Sequence, residues 1–85
     1  MMIFSEQIRA ARALLGWKQA QLADLSGVGV ATIRRLESQS GPVQGNVSTV
    51  LKIQGALESA GIQFISQTEA NGPGVQLSAP IDGRT

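Results

Sequence analysis

Cysteine and histidine are both absent from the 85 residues. Without cysteine, neither a disulfide framework nor a thiolate metal site is available, and redox usage marks no compartment. Without histidine, the chain loses imidazole general-base catalysis and the commonest metal ligand together. The six Asp and Glu residues show no paired arrangement at a spacing suited to acid–base chemistry, and no Gly-rich phosphate loop follows a strand. An enzyme is therefore not expected, and neither is a cofactor or a metal. The opening MMIFSEQIRA lacks the basic segment and long apolar core of a secretory leader, and no apolar run reaches the roughly 18 residues of a membrane span. The expected location is cytoplasmic, with no membrane partner.

What is present is an ordinary globular composition, 42% hydrophobic and 15% charged, sized for one compact domain. Net charge is only +1, but its distribution is uneven. Residues 1–53 hold Arg9, Arg12, Lys18, Arg34, Arg35 and Lys52 against Glu6, Asp24 and Glu37. The remainder holds Arg84 against Glu58, Glu69 and Asp82. A basic half separable from an acidic half is the pattern of a chain with one face turned toward phosphate.

Four helices and a terminal hairpin follow from periodicity and punctuation. The first is expected over about 5–15, with Ser5 as its cap, Ile8, Ala11 and Leu15 inward and Gly16 at its end. The second covers about 19–26, with Leu22, Ala23 and Leu25 inward and Gly27 as the stop. A third starts near Gly29 or Val30 and runs to about Ser38 around Ile33 and Leu36. After the turn-rich Ser40–Gly45, the fourth is expected over about 47–59, capped by Asn46. Its stripe is Val50, Ile53, Leu57 and Ala60, supported by Val47 and Leu51. Beyond Gly61 the period shortens toward two, giving strands at about 62–67 and 75–78 around the turn signal Glu69–Gly74. This divides the chain into a helical body over 1–61, a hairpin over 62–78 and a frayed tail over 79–85.

Residues 18–37 carry the chemistry. Two short amphipathic helices are joined by a tight turn: Ala23 is small enough for a close crossing, Gly27 suits a reversal with positive φ, and Val28 and Ile33 fill the angle between the helices. Such a pair offers its second helix to a major groove. Through Leu15-Gly16, Gln19, Leu22-Ala23, Gly27-Val28, Thr32-Ile33 and Glu37, the segment resembles the Cro and phage-repressor type of helix-turn-helix, the Xre family, over about residues 5–60. The resemblance implies a mainly α fold, a lambda-repressor-like bundle of four helices with a helix-turn-helix, here followed by the short C-terminal β-hairpin. It also implies a homodimer on a pseudo-palindromic operator in double-stranded DNA.

The same resemblance assigns roles. Gln19 matches a glutamine that hydrogen-bonds phosphate and braces the recognition helix. Gly29, Val30, Ala31, Thr32, Arg34 and Arg35 lie on or near the groove side. Ser38 and the loop to Gly45 match a segment whose backbone amides meet phosphate. Arg12 and Glu37 match an internal ion pair. The chain departs from the family where Lys18 replaces the usual Ser or Thr cap, a change worth roughly 1 kcal/mol of capping, while placing an ammonium within reach of phosphate. Gly29 stands for a common Ser, and Val30 and Ala31 stand where polar readers often sit. These two are suited to thymine methyl groups, which leaves Arg35, with Arg34, for guanine.

Plainer readings apply elsewhere: Arg9 and Lys52 read as solvated surface and Trp17 as an apolar plug. Phe64, Ile65, Val75 and Leu77 must be covered, because a lone hairpin is marginal in water. The cover is either the helical body or a second copy. The leading reading is sequence-specific regulation of transcription, as a repressor. The alternative is the antitoxin of a toxin–antitoxin pair, with the tail engaging a toxin partner while the helices autoregulate the operon.

Overall fold

A computed structural model describes residues 2–79 of the chain. Its elements run α1 Ser5–Leu15, α2 Gln19–Ser26, α3 Val30–Glu37, α4 Val47–Ser59, β1 Ile62–Ile65 and β2 Gly74–Leu77. The fold is mainly helical, four helices followed by a two-stranded antiparallel hairpin, as the periodicity predicts. Of the tail expected over 79–85, residues 80–85 lie outside the described residues.

Local chemistry sets most boundaries. Gly16 and Gly27 end α1 and α2 in the left-handed region, with φ of 68° and 72°, where a side chain would be strained. Asn46 caps α4 as expected, its Oδ1 accepting from the amides of Ser48 at 2.9 Å and Thr49 at 3.3 Å. Ser5 does not cap α1. The extended cap residue is Phe4, held by a bridge to Pro42. Ser5 sits one place inside the helix, buried, with its hydroxyl donating to the Leu36 carbonyl at 2.8 Å. The glutamines do the capping at two helix starts. Gln7 Oε1 accepts the Phe4 amide and Gln21 Oε1 the Lys18 amide, the reciprocal half of a capping box, which offsets part of the loss expected from Lys18.

The core joins Ile8 and Ala11 of α1, Leu22 of α2, Val28 of the turn, Ile33 and Leu36 of α3, and Ile53 and Leu57 of α4 with Ile3, Ile62 and Phe64. Leu15, Trp17, Ala23, Val50 and Ala56 pack on its margin, so Trp17 is the plug its position implied. Three residues read as inward are not. Leu25 is exposed because Leu22 takes the centre of the short α2 and leaves position 25 at its edge. Leu51 follows half-buried Val50 by one residue, about 100° round the helix, and Val47 lies in the first turn beyond the reach of the core; both are exposed.

In the hairpin, Ile62 pairs with Leu77, Phe64 with Val75 and Ile65 with Gly74. The alternation buries Ile62 and Phe64 but turns Ile65 outward, so of the two covers expected for Ile65 the helical body does not supply one; a strand cannot bury adjacent residues on one face. The strands also end earlier and start earlier than read, at Ile65 and Gly74. The hairpin rests on α1 and α4. Buried Gln7 fastens it, its Nε2 donating to the carbonyls of Ile65 at 3.0 Å and Gly74 at 2.8 Å.

Candidate nucleic-acid interface

The α2–turn–α3 unit presents α3 with one side open. Gly29 supplies the extended residue before α3, and its carbonyl accepts the Ile33 amide at 3.1 Å. Ala31, Arg34, Arg35 and Ser38 are exposed; spacings of three, four and seven put them on one side of a 3.6-residue helix. Ile33, Leu36 and Glu37 fill the other. Val30 and Thr32 are half-buried at the flanks, and Gly29 and Lys18 are exposed. The structure thus brings together on one open side four of the nine residues singled out in sequence; Val30 and Thr32 flank it, Gly29 precedes α3, Lys18 precedes α2, and Gln19 bonds Glu37 on the opposite side. Among the described residues, neither Arg34 nor Arg35 has an ion-pair partner.

The closed side of α3 is held by charge and by carbonyl caps. Glu37 is only 4% exposed. Its two oxygens accept from Arg12 Nε and Nη2, each at 2.7 Å, and Gln19 Nε2 adds a bond of 3.1 Å. The hydrogen bond to Glu37 raises the pKa of Arg12 above its ordinary value, so the guanidinium stays charged. Arg12 Nη1 also reaches the Trp17 carbonyl, at 2.9 Å. The Arg12–Glu37 pair implied by the resemblance is therefore present, and Gln19 bonds the same carboxylate.

Arg9 is not plain surface. Its Nη1 donates to the carbonyl of Glu37 and, at 3.2 Å, to that of Gln39. Ser5, Arg9 and Arg12, at i, i+4 and i+7, form one polar stripe on α1 that meets the C-terminal turn of α3. That spacing is the signal by which Arg9 could have been found in the sequence.

The loop after α3 is already much bonded. Ser38 donates its amide to Arg34 O at 3.0 Å and its hydroxyl to Arg35 O at 2.8 Å. The amide of Gly41 meets the Glu6 carboxylate at 3.1 Å, that of Val43 the Ile3 carbonyl at 2.9 Å, and that of Gln44 the Gln39 side chain at 2.8 Å. The amides of Ser40 and Gly45 have no hydrogen-bond acceptor among the described residues. No group of three or more His, Cys, Asp or Glu placed to hold a metal occurs among the described residues, and no helix there is long and apolar enough to cross a membrane.

A helix-turn-helix family model matches residues 8–58, from the first turn of α1 to the end of α4. No curated protein matches the chain, and no solved structure does.

Proposed function

The chain belongs to the helix-turn-helix family of the Cro and Xre type, a family of DNA-binding transcription regulators, and from that premise we propose that it is a repressor that binds a pseudo-palindromic operator as a homodimer. The observation that carries the reading is the open side of α3. Ala31, Arg34 and Arg35 stand free on a helix whose opposite side is fixed by the Arg12–Glu37–Gln19 cluster. A reading helix needs both properties, because base contacts are made only if the helix is held while its side chains reach into the groove.

In this reading α3 enters the major groove. Arg35 and Arg34 present their forked donors to guanine O6 and N7, and Ala31 and Val30 lie against thymine methyl groups. Gln19 keeps a second amide hydrogen for phosphate at the start of α2, where Lys18 adds charge, while the flanking Gly29 and Thr32 let the backbone approach. Ser38 and the free amides of Ser40 and Gly45 meet phosphate beyond the helix end. Two copies place their α3 helices in successive major grooves, with half-sites about 34–36 Å apart.

The experiment is selection of binding sites from random duplex DNA with the full chain. Two inverted half-sites about one helical turn apart are expected. Recovery of unrelated sequences, or of one half-site without its inverted mate, sinks the reading. A reporter under the selected operator then tests the sign: the chain lowers transcription if it is a repressor.

A further inference from the structure

The chain holds two asparagines, Asn46 and Asn71, and the fold treats them oppositely. Asn46 is tied down: its Oδ1 accepts from the amides of Ser48 and Thr49, and β-branched Val47 follows it at the start of α4. Asn71 and Gly72 are exposed, in the loop between β1 and β2. Among the described residues, neither the Asn71 side chain nor the Gly72 amide makes a hydrogen bond. We infer that Asn71 is a self-modification site, at which the Gly72 amide nitrogen displaces ammonia from the side chain and leaves an aspartyl or isoaspartyl residue. Position 71 lies beyond the helix-turn-helix match over 8–58, so this chemistry stands apart from DNA binding.

The step consumes only water, with hydroxide as the base. Solvent hydroxide removes the Gly72 amide proton, and the nitrogen attacks Asn71 Cγ. An N–Cγ bond forms and the Cγ–Nδ2 bond breaks. Nδ2 takes a proton from water, regenerating the hydroxide, and leaves as ammonia. The product is a cyclic imide, and water then adds to either of its carbonyls. Breaking the new N–Cγ bond gives aspartate at position 71. Breaking the original main-chain bond gives isoaspartate, in which the chain runs through Cβ. Nothing is oxidised or reduced.

The loop favours ring closure in three ways. Gly72 has no Cβ to crowd its nitrogen as it approaches Cγ. The Asn71 carbonyl accepts the Thr68 amide at 2.8 Å. A bond to that oxygen draws electrons from the Asn71–Gly72 peptide and makes its N–H more acidic. The Thr68 hydroxyl accepts the amides of Ala70 and Asn71, at 3.2 Å and 3.0 Å. The turn is thus held by its main chain, while the Asn71 side chain is left to fold back onto the next peptide, where proximity favours attack.

Conversion puts a new carboxylate in the loop that already carries Glu69 and takes the formal net charge from +1 to zero, which alters the field the molecule presents at long range. The hairpin keeps its anchor, because Gln7 holds the carbonyls of Ile65 and Gly74 at the base of the loop.

The test follows the folded full chain through incubation at neutral and mildly alkaline pH, with peptide mapping by mass spectrometry. The mass gain of an amide-to-acid exchange is expected at Asn71 and not at Asn46, faster as hydroxide rises. It should appear as two separable peptides, aspartyl and isoaspartyl. Asp82-Gly83, outside the described residues, can close the same ring without a mass gain, so mapping distinguishes it. Gly72→Ala adds a Cβ that meets nothing within 4 Å, at a residue without positive φ. That variant should keep the parent's circular-dichroism melt and convert roughly tenfold more slowly, because the methyl crowds the attack. An amide that persists at position 71 of the folded parent overturns the inference, whatever the variant does. So does conversion that begins only in urea, or a Gly72→Ala rate equal to the parent's. Aspartate without isoaspartate would exclude the imide route.

Discussion

Arg12 closes on Glu37 through two parallel hydrogen bonds of 2.7 Å each, joining the last turn of α1 to the last turn of α3. The carboxylate is almost fully buried, so the pair is worth most for what its loss exposes. Arg12→Leu strands a buried charge with Gln19 as its remaining side-chain donor and should cost about 3–5 kcal/mol of folding stability. Arg12→Met combined with Glu37→Leu removes both charges and should recover most of it, short by about 1 kcal/mol for the Trp17 carbonyl that Arg12 also serves. Urea unfolding of the parent and the two variants checks this. Equal losses in the single and double variants would exclude a buried-charge origin.

Glu6 gives acid sensitivity a definite sign. Its carboxyl is held below its ordinary value of 4.5, first by its own backbone amide, then by the Gly41 amide, and least by Arg9. A carboxyl with a depressed folded pKa contributes stability fully above its unfolded value, and that contribution disappears as pH falls through the folded value. Between about pH 6 and pH 3, the melting temperature of Glu6→Gln should therefore fall less steeply than that of the parent. Parallel curves would show that the Glu6–Gly41 contact does not differ between folded and unfolded chains.

Gln7 ties the hairpin to the body by the two bonds from its Nε2 to Ile65 O and Gly74 O. Gln7→Leu keeps the apolar packing volume but leaves those carbonyls and the Phe4 amide without their partner. A cost of about 1–3 kcal/mol is expected, and it should fall first on the hairpin. Hydrogen exchange at the amides of residues 62–77 is expected to accelerate while the amides of α2 and α3 keep their protection. Uniform acceleration across the chain would mean that hairpin and helices open as one unit.

The parts legible in the sequence are those whose causes are local. The helix-turn-helix follows from apolar spacing and from glycines at the two reversals, and the Asn46 cap from bonds within three residues. What sequence reading missed depends on distant backbone. Ser5 resembles a cap, yet the extended conformation belongs to Phe4 because Phe4 bridges Pro42 on a loop far along the chain. Arg9 bonds carbonyls 28 and 30 residues away, and a carbonyl acceptor leaves no trace in residue identity. Val47 and Leu51 carry apolar letters at helical spacing, which cannot say whether the stripe faces the core or solvent; only the placement of Ile53 and Leu57 decides it.

Arg35 and Lys18 separate base reading from phosphate attraction. Both are exposed, and among the described residues neither is ion-paired, so alanine at either position should leave folding intact; alanine is also the best helix former for Arg35. If Arg35 reads guanine, Arg35→Ala costs about 1–3 kcal/mol on the selected operator and relaxes the preference at one base position in each half-site. Lys18→Ala, by contrast, should weaken all sequences nearly equally and lower the slope of log affinity against log salt by about one per bound chain. Affinity measured over a salt series on operator and scrambled duplexes distinguishes the two. A uniform loss for Arg35→Ala with unchanged base preference would move the reading role to Arg34, the other free cation on the open side of α3.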